Sequence, residues 1–199
     1  MSEPFSAVAQ VTIDRDALIT YLDAPPRPAS GWSDWRRIGG EWHSFSWDKD
    51  LPEILTSVDK RLAGSYRHVI RHLIAPDMLP GAERCAYDAA TRHFTFATLM
   101  LSENIEELVL FCAAARGLTA YMSDAATGFA VVQDYLWGKT PHTLAALQIG
   151  PADRSEFLDA QADAVTFGRH ADAAIAVFDD IKAAAGAPGR VIDELDQLR

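Results

Sequence analysis

The chain has 199 residues, a formal net charge of -10, and 49% hydrophobic against 23% charged side chains. That length and composition suit one domain with a sizeable core and exclude disorder as the default. The acidity argues against general binding to nucleic acid or to anionic membranes, because phosphate repels an anionic surface.

In chain order, residues 6–13 read as a strand through the β-branched Val8, Val11 and Ile13. Asp14 suits an N-cap, and Ala17, Leu18, Tyr21 and Leu22 fall at helical spacing up to the break at Pro25-Pro26. Residues 27–40 read as a loop. Residues 41–47 read as extended, with His43, Phe45 and Trp47 alternating against Trp42, Ser44 and Ser46. Asp50 opens a helix with Pro52 in its first turn and Gly64 at its end. Tyr66, Val69, Ile70, Leu73 and Ile74 then form a helical stripe, with Arg67, His68, Arg71 and His72 on the opposite face.

Two hairpins are expected next. The first joins residues 84–87 to 93–101 across a turn beginning at Asp88. The second joins residues 118–122 to 129–137, with Gly128 supplying a positive φ. Both turns contain Asp-Ala-Ala-Thr, and independent use of one turn chemistry explains that better than duplication. Between them, Ser102 or Asn104 caps a helix rich in Glu at its start, apolar on most sides, and ended by Gly117. Beyond Pro151, Phe157, Leu158, Ala162 and Val165 mark one helix, and Ala174, Ile175, Phe178 and Ile181 another. A short terminal helix carries Val191, Ile192, Leu195 and Leu198, and it offers a surface for self-association.

The fold class predicted is α+β: a mostly antiparallel sheet built around two hairpins in the order strand–strand–helix–strand–strand. Helices pack on one face, and the C-terminal region is helical. Residues 1–150 form the α+β domain, and the helices of 151–199 pack on it.

The residues singled out for binding are Trp32, Trp35, Arg36, Arg37, Trp42, His43, Tyr121 and Asp134. Four of the five tryptophans lie within sixteen residues, interleaved with arginine. Tryptophan and arginine dominate interface hot spots and form stacking platforms. On the second expected hairpin, Asp134 faces Thr119, with Tyr121 on the same side.

His68 and His72 have the i, i+4 spacing of a metal pair. The flanking Arg67 and Arg71 repel a cation, so a basic face is expected and no metal. If Asp88 faces His93, then Cys85 faces Phe96, and Cys85, Tyr87, Phe94 and Phe96 share the core side while His93 points away. Cys85 therefore reads as a core residue. No nucleotide, hydrolase, EF-hand or zinc motif is present, and no cofactor is expected.

Residues 101–199 carry 7 basic and 15 acidic side chains, which favours a cationic protein partner. Met1 to Phe5 lack a secretory pattern, and the longest apolar run, residues 108–115, is too short to span a bilayer. With two cysteines and no disulfide framework, the expected location is the cytoplasm. The expected function is a non-catalytic protein-binding or inhibitor protein, of the kind a bacterial toxin-neutralising immunity protein represents, acting by masking its partner. The alternative is a small-molecule enzyme or ligand binder with its pocket between the Trp-rich segment and the sheet.

Overall fold

The computed structural model describes residues 4–38, 50–74, 81–137, 142–185, 192–193 and 195–198. The extended reading of residues 41–47, with Trp42 and His43, lies outside the described residues. An α+β architecture is observed. Strands β1 (Phe5–Thr12), β2 (Glu83–Asp88), β3 (His93–Ser102), β4 (Gly128–Asp134), β5 (His142–Ile149) and β6 (Ser155–Phe157) pair antiparallel, and β7 (Ile192–Asp193) adds in parallel to β2. The strand order is β6-β5-β4-β1-β3-β2-β7.

Helices α1 (Arg15–Asp23), α2 (Leu51–Arg61), α3 (Tyr66–Leu73) and α4 (Ile105–Gly117) share the main core with one face of the sheet. Ala7, Ala9, Val11, Phe94, Phe96, Ala130 and Val132 point into it. Helix α5 (Ala164–Ala184) covers the other face, where Val8, Ala97, Leu99, Phe129 and Val131 meet Ala174, Val177, Phe178 and Ile181. Helical layers on both faces explain why the burial pattern of β4 is continuous from Gly128 to Gln133 rather than alternating. Among the described residues, no helix is long and apolar enough to cross a membrane.

The first hairpin has the expected register: Asp88 opposite His93, Tyr87 opposite Phe94 and Cys85 opposite Phe96. Its turn closes as expected, with Asp88 Oδ1 accepting from the Ala90 and Thr91 amides at 2.8 and 3.4 Å. Asn104 caps α4 by accepting from the Glu106 amide at 2.9 Å.

The second hairpin differs from expectation. Residues Leu118–Ala120 form a 3-10 turn continuing α4, and the partner of β4 is β5. Asp134 therefore stands opposite His142, not Thr119. Gly128 does not have a positive φ. Its requirement is steric, because a Cβ there would overlap the Val11 side chain and the Gln10 carbonyl of β1.

The C-terminal region is also rearranged. Phe157 sits in the main core and Leu158 in the second, the alternation of extended chain, so β6 replaces the first expected helix. A single 21-residue helix follows. In place of the terminal helix, β7 is followed by a turn at residues 195–197, and Leu195 and Leu198 are buried in this chain's own core.

Candidate functional site

Helix α4 is buried from Leu108 to Gly117, as befits a segment apolar around its whole circumference between sheet and helices. The one cation in that run is Arg116. Its Nε donates to Ser155 Oγ at 2.9 Å, and its Nη2 donates to Asp34 Oδ1 at 2.7 Å and to the Ser155 carbonyl at 3.0 Å. Its guanidinium carbon lies 5.1 Å from the Trp32 ring centre, 5.1 Å from that of Trp35 and 5.2 Å from that of Phe157. An aromatic cage thus encloses an internal cation, a geometry in which ring quadrupoles stabilise positive charge. Burial pulls the Arg116 pKa down, and the Asp34 carboxylate opposes that shift.

The Trp-rich loop is tied down around this cage. Trp35 is fully buried and its Nε1 donates to the Ala29 carbonyl at 2.9 Å. Asp59 of α2 accepts from the Ala29 amide at 2.5 Å and from Ser30 Oγ at 2.6 Å. Asp34 Oδ2 accepts from the Phe157 amide, and Arg37 Nη1 donates to the Phe157 carbonyl, both at 3.2 Å. The loop, α4 and β6 are therefore one hydrogen-bonded unit. Arg36 is exposed on its outer side.

The outer face of the cage opens on a small cavity of about 120 Å³ lined by Arg27, Trp32, Tyr66, Arg116, Tyr121 and Asp153 among others. Tyr66 stacks on Tyr21 with ring centres 4.3 Å apart, and Tyr121 meets Tyr21 edge-on at 5.6 Å. Gly117 makes this stack fit, since a Cβ there would overlap the Tyr66 ring and hydroxyl. Arg27 lies over Trp32 at 4.9 Å and pairs with Asp153 at 3.2 Å. Of the residues chosen from the sequence, Trp32, Trp35, Arg37 and Tyr121 gather at or beside the cage. Asp134 lies at the His142 end of β4 and does not line this cavity.

No family model, curated protein or solved structure matches this chain. Cys85 and Cys112 are both buried, and burial pushes the Cys112 thiol up to about 12, so it stays protonated at neutral pH. On α3, the expected basic face is engaged within the chain. Arg67 pairs with Asp23 at 2.9 Å and donates to the Leu195 and Leu198 carbonyls, and Arg71 pairs with Asp196. His72 lies 3.9 Å from Glu107.

Two further clefts flank the sheet. An open one of about 570 Å³ lies where the loops before β4 and after β5 meet, and it is rimmed by Asp124, Asp153, Arg154 and Glu156. At its edge the β5–β6 turn holds Ala152 and Asp153 at φ of 56° and 60°, a conformation unfavourable for side-chain-bearing residues. The other, about 350 Å³, lies under the start of α5 and is lined by Gln10, His93, Phe129, Gln148, Arg169 and His170. His170 stacks on Phe129 and its Nε2 lies 2.9 Å from Gln148 Oε1. Burial holds its pKa down at about 4.

Arg27, Arg116, Asp153 and His170 were not selected from the sequence. For Arg116 a signal existed: a lone arginine closing an eight-residue apolar run is either solvent-facing or a buried ion partner. For the other three, nothing local distinguishes them from surface residues.

Proposed function

We propose that this chain is a non-catalytic protein-binding protein that masks a cationic partner, as a toxin-neutralising immunity protein or similar inhibitor does. The observation that carries the reading is the open cleft whose charged lining is Asp124, Asp153 and Glu156 against Arg154 alone. It lies in the half of the chain that holds the acidic excess. Its volume of about 570 Å³ admits basic side chains of a protein surface, and complementary charge would steer the encounter. The rim is held in place before binding: β6 is tied to the Arg116 unit, and the Asp153 turn is closed by the Gly150 amide on the Arg154 carbonyl at 2.8 Å. Such preorganisation reduces the entropy lost on association.

The test is co-purification from the native source, with the retained protein identified and its complex followed by gel filtration at rising salt. The expected result is a basic partner whose affinity falls with salt and which is lost when Asp124→Lys and Glu156→Lys are combined. Retention of the same partner by the charge-reversed chain would overturn the reading. The cavity beside Trp32 supports a second role, in small-ligand binding.

A further inference from the structure

The cavity beside Trp32 brings two guanidinium groups, two phenols and one carboxylate around about 120 Å³. At roughly 30 Å³ for each water-sized group, that admits about four non-hydrogen atoms. The donors outnumber their partners. Arg116 is 1% exposed, and its Nη1 has no hydrogen-bond acceptor among the described residues. A buried donor left unbonded is costly, and its charge lies close behind the cavity wall, where it favours an anion. The Tyr66 hydroxyl accepts from the Arg27 amide at 2.9 Å, which leaves its own proton to donate. Burial raises the Tyr66 pKa, so that proton is retained at neutral pH.

The remaining partner is exchangeable. Arg27 and Asp153 have side chains 43% and 61% exposed, and ion pairs of that kind are weak. Asp153 already places one carboxylate oxygen 3.2 Å from Arg27 Nη1 at the cavity. A carboxylate fits a guanidinium in two parallel hydrogen bonds, and the four non-hydrogen atoms of acetate match this volume where the five of phosphate exceed it.

We propose that this cavity binds a small free carboxylate, of the size of acetate, in exchange for Asp153. Arg27 grips it, the Tyr66 hydroxyl donates to it, the Arg116 charge attracts it from behind, and the Trp32 ring forms the wall. This site shares Asp153 with the rim of the partner-masking cleft, but Arg27, Trp32 and Tyr66 do not line that cleft and Asp124 and Glu156 do not line this cavity, so the variants that test each leave the other's remaining residues in place.

The test is a titration of the ¹⁵N-labelled full chain with sodium acetate, with sodium chloride holding ionic strength constant. The Trp32 indole, Arg27 and Gly117 resonances are followed. Saturable shifts at these three are expected. Asp153→Asn should bind about two- to fivefold tighter, because the internal competitor is worth only a weak surface pair. Asn also tolerates the left-handed backbone at that position. Arg27→Gln, an exposed change that leaves the core intact, should bind on the order of tenfold more weakly. Tyr66→Phe keeps the ring stack and should also weaken binding. Shifts that sodium chloride reproduces, an unchanged affinity in Arg27→Gln, or phosphate binding as tightly as acetate would each overturn the proposal.

Discussion

Arg116 holds the Trp-rich loop to the sheet through two side-chain partners and three rings, so its loss is felt at both ends. Arg116→Met leaves the Asp34 carboxylate without its cation and should cost about 3–5 kcal/mol, read as a lowered urea midpoint. Arg116→Lys should recover little, because one ammonium cannot span Ser155 and Asp34 as the planar fork does. His170 carries the other residue-level consequence. Its pKa of about 4 lies below the ordinary 6.5, so the unfolded chain binds more protons between those values. Stability is therefore full above about pH 6.5 and falls as the pH drops toward 4, by about 3 kcal/mol at most. Urea melts at pH 7.5 and 4.5 should show that loss, and His170→Gln should flatten it. Asp88, lowered by the Thr91 hydroxyl and local amides, and Asp159, lowered by local amides, lose their contribution as the pH falls from the ordinary carboxylate value, so most of their effect lies below the His170 window.

At the level of elements, three glycines separate steric need from helix propensity. Gly117→Ala drives a methyl into Tyr66, and Gly128→Ala drives one into β1; each should destabilise by about 1–3 kcal/mol. Gly168, inside α5, has nothing within 4 Å of an added Cβ. Gly168→Ala should therefore stabilise the fold by about 0.5–1 kcal/mol, so thermal melts of the three variants should split in sign. The first hairpin and α3 were legible because their information is local: a period of two across an Asp turn, and a period near 3.6 along one stripe. Strand β5 was not. His142–Ile149 is rich in Ala, Leu and Gln, which favour helix, and only pairing with β4 and β6 makes it extended. Helix α5 reaches back to Ala164, well before Ala174, where the stripe read from the sequence begins, and His170 lies on that same buried stripe with Ala174 and Ile181.

Across the whole molecule, the C-terminal segment closes the fold. Leu195 is fully buried in the main core, and the α3 arginines hold the carbonyls and carboxylate around it. Leu195→Ala should cost about 2–5 kcal/mol, measurable by urea denaturation. Composition and periodicity alone determined the class of the fold, the first hairpin with its register, the burial of Cys85 and the stripe of α3, because backbone preference and side-chain alternation act over a few residues. Tertiary structure alone decided that the sheet is covered on both faces, that Arg116 turns inward to meet Asp34, and that Arg27 and Asp153 share a cavity with Tyr121. These pairs lie 82 to more than a hundred residues apart, so the loop-closure entropy that separates them is met only once the intervening chain has folded.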